Sequence, residues 1–252
     1  MARIFAPLTL LLLASCTPPS PLPDMQPGER GRVVKIIDGD ALILDSGQSV
    51  RLVSIVAPVL SPRDRPPERY AGESARTLED LALGRRVQLY YPGLTRDRYD
   101  RALAHVVTID QAGQDVWLNR EMVAQGAARV RLYASTAARG QELLDAEQRA
   151  RDAGQGLWAL AEYQTLSADT WQGTRLGFRQ VNGTLAELRP STSSERYAPA
   201  CYWTLEASAL TLRVTKDAAA VCGLRTGTEI SVRGWISQDA IELNHPWHWE
   251  LR

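Results

Sequence analysis

The chain has 252 residues, with 29 Lys and Arg residues balanced by 29 Asp and Glu residues, and 44% of its residues are hydrophobic. This composition is typical of a globular protein of one or two domains, and it excludes disordered and fibrous classes. A formal net charge of zero also argues against a protein that coats nucleic acid through a broad basic surface, because such domains carry a clear basic excess.

The first 15 residues predict a signal peptide that is removed from the folded protein. The apolar run over residues 8–13 is too short to span a bilayer as a helix. Residues 13–16 read Leu-Ala-Ser-Cys and resemble a bacterial lipobox, which implies cleavage before Cys16 and lipidation of its thiol. Because Thr17 is not an aspartate that retains lipoproteins in the inner membrane, the resemblance implies an outer-membrane anchor that faces the periplasm of the cell envelope. An ordinary cleaved signal peptide is the alternative.

The residues after the signal peptide predict a spacer followed by two domains. Residues 16–30 are rich in proline, which indicates a stiff, extended tether between the lipid and the folded part. Two stretches of folded-domain composition follow, over residues 31–160 and 161–252.

Cysteine usage is consistent with an oxidising compartment. Besides Cys16, the chain contains only Cys201 and Cys222, and an even pair in a periplasmic protein favours a disulfide. Two buried thiols are the alternative. Because a structural zinc ion needs four ligands and the sequence has no CxxC pair, we expect no zinc site.

The first domain predicts a small β-barrel with helices packed on it. Short β-branched or alternating runs are separated by turns that contain glycine, and apolar residues then recur at helical spacing. This order of elements is typical of a closed barrel. The predicted strands cover residues 32–37, 41–44, 50–56, 86–91 and 102–108, and the predicted helices cover residues 72–83, 118–125 and 137–153.

Five separated motifs lie along this domain. They are Asp38-Gly39-Asp40, the run from Val50 to Pro58, Tyr70 with Glu73, the run from Asp97 to Ala104, and Gly156-Leu157-Trp158. In this order they resemble the staphylococcal nuclease (thermonuclease) family. The resemblance implies an OB-fold barrel and a calcium-dependent phosphodiesterase ancestry that acts on DNA and RNA.

The resemblance also implies roles for individual residues. Asp40 takes the position of a calcium ligand, and carboxylate oxygens suit a hard cation. Arg51 and Arg101 take the positions of two arginines that grip the phosphoryl group. Arg98 and Tyr99 take the position of a substrate contact. The alternatives are ordinary turn chemistry for Asp40 and structural salt bridges for the arginines.

Two departures from the family pattern predict a degenerate site. Val56 stands where the second metal aspartate is expected, beside Ala57, and Val59 stands where the general-base glutamate is expected. Valine cannot coordinate Ca²⁺, and loss of a general base alone typically costs about 10²–10⁴-fold in rate. A carboxylate recruited from Asp64 or Glu68 is the alternative that would preserve activity.

The second domain predicts another OB-like barrel, which makes the whole chain an α+β protein dominated by β-barrels. The runs over residues 232–236 and 241–246 resemble a C-terminal module that accompanies thermonuclease domains, a resemblance that names no activity. The predicted strands cover residues 181–188, 201–207, 210–215, 229–236 and 240–243, with a short helical or loop piece over 218–223.

Four tryptophans fall in this second domain. Exposed aromatic rings on an OB barrel stack bases, with about 1–3 kcal/mol for each base. A small barrel also needs bulky residues in its core, and we expect packing to be their main role. The four are Trp203, Trp235, Trp247 and Trp249.

Three functions therefore follow from the sequence. The first is an envelope lipoprotein that binds single-stranded DNA, RNA or another phosphate-bearing ligand with little or no cleavage. The second is an active Ca²⁺-dependent nuclease that uses a recruited carboxylate. The third is a structural envelope module that binds protein partners.

Overall fold

A computed structural model of the protein describes residues 20–60, 66–109, 114–173, 177–191 and 198–252. The predicted signal peptide, Cys16 and Asp64 lie outside these residues. None of the helices in the described ranges is long and apolar enough to cross a membrane. The expected α+β fold, dominated by β-barrels, is confirmed: the described residues form two closed five-stranded barrels in sequence order, with three α-helices between residues 71 and 152.

The first barrel closes in the strand order β1-β2-β3-β6-β5, with β1 pairing antiparallel to both β2 and β5. Pairing of β3 with β6 is parallel. The elements are β1 (Gln26–Asp38), β2 (Ala41–Leu44), β3 (Ser49–Leu52), β4 (Ile55–Val56), α1 (Ala71–Ala82), β5 (Arg86–Tyr91), β6 (Ala102–Thr108), α2 (Leu118–Ala124), β7 (Arg129–Val130) and α3 (Gly140–Asp152).

Helix α1 shows how the sequence pattern produces the packing. Ser74, Leu78 and Ala82 recur every four residues, so one face of the helix is buried against the barrel. The helix ends just before Gly84, whose φ of 74° is accessible to glycine at little cost. A side chain at Gly39 would collide with the Ser74 hydroxyl, so glycine lets the β1–β2 turn approach this helix.

The single strand predicted over residues 50–56 is wrong at its centre. Ser54 adopts a positive φ of 64°, and the chain turns between β3 and β4. Strand β4 therefore leaves the barrel and pairs with β7 instead. This turn directs residues 56–59 along the edge of the barrel, where the candidate site lies.

The tether predicted over residues 16–30 is also wrong in its second half. Leu22 is 1% exposed and packs with Met25 and Tyr90, and β1 already begins at Gln26. The prolines around Leu22 and Met25 made the segment resemble an extended tether, although these two apolar residues pack in the core. Residues 22–30 therefore belong to the folded part.

The second barrel closes in the order β9-β10-β11-β13-β12, because β12 also pairs with β9. The short strands β8 and β14 add to its sides. The strands are β8 (Leu166–Ser167), β9 (Gly177–Pro190), β10 (Cys201–Leu205), β11 (Thr211–Val214), β12 (Glu229–Ser237), β13 (Ala240–Leu243) and β14 (Trp249–Leu251), and 3₁₀ turns cover Gly156–Ala159, Ala161–Tyr163, Ala168–Thr170, Lys216–Gly223 and Pro246–His248.

A disulfide links Cys201 on β10 to Cys222 in the neighbouring 3₁₀ turn, with the two Cα atoms 6.0 Å apart. Trp203 lies beside it in the core, and its indole N–H donates to the carbonyl of Val221 at 3.1 Å. The disulfide therefore holds the 3₁₀ turn over one side of the core.

A buried ion pair joins the two barrels. The Nη1 atom of Arg233 on β12 donates to Glu147 Oε2 on α3 at 2.5 Å, and the Glu147 side chain is 1% exposed. The other carboxylate oxygen of Glu147 accepts from the backbone N–H of Val130 at 2.7 Å. A buried carboxylate with this number of donors is held in one geometry.

Two further contacts involve residues 129–133, which we call the connecting segment. Arg129 Nη1 donates to the carbonyl of Phe178 on β9 at 2.5 Å. The backbone N–H of Leu132 donates to His248 Nε2 at 3.2 Å, and burial lowers the pKa of His248 to about 3, which keeps it neutral and able to accept. The connecting segment is therefore bonded to the second barrel on both sides of Arg131.

Candidate functional site

A cavity of about 720 Å³ opens where β3, β4 and the connecting segment meet. Its volume falls in the range of small-ligand pockets. Both barrels contribute to its wall. The lining includes Asp38, Asp40, Arg51, Val56, Ala57, Val59, Arg96, Asp97, Arg98, Tyr99, Arg101, Arg131, Tyr133 and Trp235.

Asp40 lies at the bottom of this cavity and is 2% exposed. One oxygen, Oδ2, accepts from Arg51 Nη2 at 2.9 Å and from the backbone N–H of Ala57 at 2.9 Å. Burial raises the pKa of Asp40 to about 7, while the charge of Arg51 opposes the shift and that of Asp38 adds to it. The two residues predicted as metal ligand and phosphate grip are therefore bonded to each other.

Arg101 is also paired with a carboxylate. Its Nε and Nη2 atoms donate to Asp97 Oδ2 at 2.8 and 2.7 Å, and Asp97 Oδ1 accepts from the backbone N–H groups of Tyr99 and Arg101. Burial alone would raise the pKa of Asp97, but these hydrogen bonds outweigh it and lower the pKa. Asp97 therefore links the loop residues 97–101 to one another, and one side of the Arg101 guanidinium is already occupied.

Arg98 and Tyr99 lie at the mouth of the cavity. Arg98 Nη2 donates to the Tyr99 hydroxyl at 2.7 Å, and its guanidinium carbon lies 4.8 Å from the centre of the Tyr99 ring. Tyr99 is 65% exposed. Within the described ranges, Arg98 has no carboxylate partner, so its charge is available at the mouth of the cavity.

Arg131 is a cation of this site that sequence reasoning missed. Its guanidinium carbon lies 4.9 Å from the Tyr133 ring centre and 5.0 Å from the Trp235 ring centre. Burial lowers the pKa of Arg131, and the positive charge of Arg51 contributes to the shift. Among the described residues it has no carboxylate partner. The alternation of Arg129, Val130 and Arg131 was the available signal, because successive residues of an extended segment point to opposite faces, which places Arg131 on the face opposite to the buried Val130.

The part of the chain that contains most of this cavity is similar in sequence to known proteins. A sequence model described as "Staphylococcal nuclease homologue" matches residues 49–160. The chain is 25% identical over 136 residues to the thermonuclease of Staphylococcus hyicus, covering 51% of this chain and 75% of that protein. It is 30% identical over 109 residues to the thermonuclease of Staphylococcus intermedius, covering 42% of this chain and 62% of that protein.

Residues 49–160 are a staphylococcal nuclease-like domain. The barrel of this nuclease-like domain also needs β1 and β2, which precede the matched residues and are joined by the turn that contains Asp40. The family resemblance drawn from the five motifs is therefore confirmed for the first barrel.

The donor set of the nuclease-like domain does not fit calcium. Val56 and Val59 line the cavity at the positions where the family resemblance requires carboxylates, and Asp40 is already bonded to Arg51. In the parts of the chain that the structure describes, no group of three His, Cys, Asp or Glu side chains is placed to hold a metal ion. Ca²⁺ takes six to eight oxygen ligands. The carboxylates that line the cavity are already engaged: Asp40 is bonded to Arg51, Asp97 to Arg101, and Asp38 accepts from the backbone N–H of Asp40.

Glu68, one of the two carboxylates considered as a replacement, is bonded elsewhere. Its Oε2 atom accepts from the backbone N–H of Val59 at 3.2 Å, and its backbone N–H donates to the Val59 carbonyl at 3.0 Å. Its carboxylate also lies close enough to Arg129 and Tyr163 to influence their pKa values. Glu68 therefore fixes the backbone of residue 59 and is not part of the cavity lining.

The four tryptophans of the second barrel have different environments. Trp203 is 1% exposed, and Trp249 packs against the core, as expected. Trp235 is 38% exposed and lines the cavity, and Trp247 is 44% exposed. The expectation that all four serve packing is wrong for Trp235, because Arg233 holds the outer face of β12 against the nuclease-like domain.

Proposed function

We propose that the nuclease-like domain binds the phosphodiester backbone of single-stranded nucleic acid and cleaves it little or not at all. The observation that carries this proposal is the composition of the cavity. Arginine side chains surround it, while Val56 and Val59 stand at the positions of the missing carboxylates. In the described part of the chain, the site therefore retains arginines that can bind phosphate and has valines at the positions of the metal ligand and the general base.

The chemistry of hydrolysis supports this division. Phosphodiester cleavage needs a cation to stabilise developing charge and a base to activate water. Binding needs only fixed positive charge and hydrogen-bond donors. Among the described residues, Arg98 and Arg131 have no carboxylate partner, so their N–H groups are available to a phosphate. Arg51 and Arg101 already donate part of their N–H groups to Asp40 and Asp97.

A binding assay tests the proposal. The chain without residues 1–15, carrying Cys16→Ser, is titrated with fluorescein-labelled oligothymidylate at two ionic strengths, with Ca²⁺ or with EDTA. We expect affinity that falls with salt, is unchanged by EDTA and is accompanied by no cleavage. Arg98→Ala should weaken binding, while Arg76→Ala, which removes an exposed charge from α1, serves as the matched control.

Two results would contradict the proposal. Ca²⁺-stimulated cleavage that Arg51→Ala abolishes would establish an active nuclease. Absence of any salt-dependent affinity would favour a structural module that binds protein.

Restoring the missing carboxylates tests the same site from the opposite direction. The double substitution Val56→Asp with Val59→Glu places acidic groups on a fixed backbone, because Val56 pairs with Arg129 in the β4–β7 sheet and Glu68 holds the backbone of Val59. We expect Ca²⁺-dependent cleavage to appear in the double variant. Continued inactivity, with the fold intact, would show that Asp40 and its partners are no longer arranged for metal binding.

We also propose that the protein is anchored in the cell envelope through acylated Cys16 and faces the periplasm. The lipobox-like residues 13–16 support this, and the paired Cys201 and Cys222 are consistent with an oxidising compartment. Labelled palmitate should be incorporated into the full-length protein and lost in Cys16→Ser. Incorporation unchanged by that substitution would contradict the proposal.

A further inference from the structure

The outer face of β12 carries two residues with distinct roles toward the nuclease-like domain. Arg233 and Trp235 are two residues apart, so their side chains lie on the same face of the strand. Arg233 forms the buried ion pair with Glu147, and Trp235 extends one step further along the face, to the edge of the cavity.

The position of Trp235 is fixed by these contacts. Its backbone pairs with Phe178 on β9 and with Glu242 on β13, so the strand is hydrogen-bonded on both sides at this residue. The connecting segment opposite is bonded to the second barrel on both sides of Arg131. The Arg131 guanidinium carbon lies 5.0 Å from the centre of the Trp235 ring, and an aromatic side chain has few rotatable bonds. Such a ring on a fixed backbone loses little further conformational entropy when a ligand binds.

The chemistry around Trp235 combines two kinds of ligand contact. Trp235 and Tyr133 are 38% and 40% exposed, and the guanidinium of Arg131 lies about 5 Å from both ring centres. The phosphate-binding arginines line the same cavity. Aromatic rings beside a cationic groove are the combination with which proteins bind single-stranded nucleic acid.

We infer that the ligand site spans both barrels, and that Trp235 of the second barrel stacks on a nucleobase whose phosphate is held by the arginines of the first. This inference rests on the proposed function and specifies its ligand as a nucleotide unit with an intact base. It assigns the second barrel a direct part in binding.

The test compares two probes that differ only in the base. One is fluorescein-labelled oligothymidylate, and the other is an abasic oligomer of equal length with the same phosphates. Wild-type protein should bind oligothymidylate more tightly. Trp235→Ala should weaken oligothymidylate binding by about 5-fold to 150-fold and leave the abasic oligomer nearly unaffected, since base stacking on an aromatic ring contributes about 1–3 kcal/mol.

Two further variants control for folding and for general aromatic contacts. Trp235→Phe retains a ring on the same strand, so it should recover part of the preference for oligothymidylate. Trp247→Ala removes a tryptophan of similar exposure from the same barrel, outside the cavity lining, and should leave both affinities unchanged. Urea unfolding of each variant verifies that the second barrel is intact.

The outcomes separate the two proposals. If wild-type protein binds both probes equally, or if Trp235→Ala weakens both to the same extent, the site holds phosphate only and the inference is overturned while the proposed function stands. If wild-type protein binds neither probe, the proposed function fails and the inference fails with it.

Discussion

Replacing Asp40 by asparagine distinguishes a binding site from a metal-dependent catalytic site. Asp40 Oδ2 bonds Arg51 at 2.9 Å, so the carboxylate competes with any ligand phosphate for that guanidinium. Asparagine keeps an oxygen that accepts from the backbone N–H of Ala57 and removes the negative charge. We therefore expect Asp40→Asn to raise the affinity for an oligonucleotide, whereas loss of a calcium ligand would abolish activity.

The size of the effect follows from the geometry. A phosphate bonded to Arg51 would lie roughly 5 Å from the Asp40 carboxylate, where two unit charges interact by about 3 kcal/mol at an effective dielectric of about 20. Arg51 is 27% exposed, and solvent screens part of this repulsion. A residual effect of about 1–3 kcal/mol separates the affinities of the charged and neutral forms of the site by about 5-fold to 150-fold. Because about one tenth of Asp40 is already neutral at pH 8, we expect a measured gain of about 4-fold to 10-fold at that pH.

The same charge predicts a pH dependence. Because burial raises the pKa of Asp40 to about 7, about nine tenths of the group is protonated at pH 6 and about one tenth at pH 8. Arg51, Asp38 and the Ala57 N–H face this carboxylate, and Arg131 lies near enough to sense its charge. Oligonucleotide affinity should therefore rise as pH falls from 8 to 6, and Asp40→Asn should remove this dependence.

The assay is fluorescence anisotropy with an oligothymidylate that has no terminal phosphate, since a phosphomonoester titrates near pH 6 and would confuse the result. Asp100→Asn is the matched control, because its side chain is 91% exposed on the neighbouring loop and its charge is screened. An affinity that falls in Asp40→Asn, or a pH dependence that survives in it, would refute the reasoning.

Three stability predictions follow from the contacts around the second barrel. Arg233→Met leaves Glu147 charged and buried, and we expect it to lower the free energy of unfolding by about 3 kcal/mol in urea titrations; a change below about 1 kcal/mol would contradict a structural ion pair. Replacing Cys201 and Cys222 by serine opens a cross-link across a sequence separation of 21, so thermal unfolding should reveal a loss of about 3 kcal/mol that reductant reproduces in the wild type; equal melting temperatures would argue against the cross-link. Burial lowers the pKa of His248 to about 3 in the folded protein. As pH falls below about 6.5, the His248 side chain is therefore protonated in the unfolded chain but not in the folded protein. Its contribution to the free energy of unfolding then falls by about 1.4 kcal/mol per pH unit. His248→Gln should remove that part of the slope, and an unchanged slope in urea titrations between pH 6 and pH 4 would show that the group is not buried in a neutral form.

Several features of the fold were readable from local sequence. Strands β2, β5 and β6 were predicted with the bounds that the structure has, because each is a run of apolar or β-branched residues that ends at polar turn residues. The boundary of the tether and the break at Ser54 were not readable, since both depend on how the chain packs after it leaves β3 or enters β1.

Some features of the candidate site were likewise readable from the sequence, and others were not. The sequence by itself determined that Val56 and Val59 replace carboxylates in an otherwise recognisable motif, because residue identity and spacing are enough to establish that. Only the tertiary structure decided that Arg51 is bonded to Asp40, that Arg131 has no carboxylate partner among the described residues, and that Trp235 reaches the cavity. These outcomes depend on burial and on contacts between segments far apart in the chain, and neither is encoded in local periodicity.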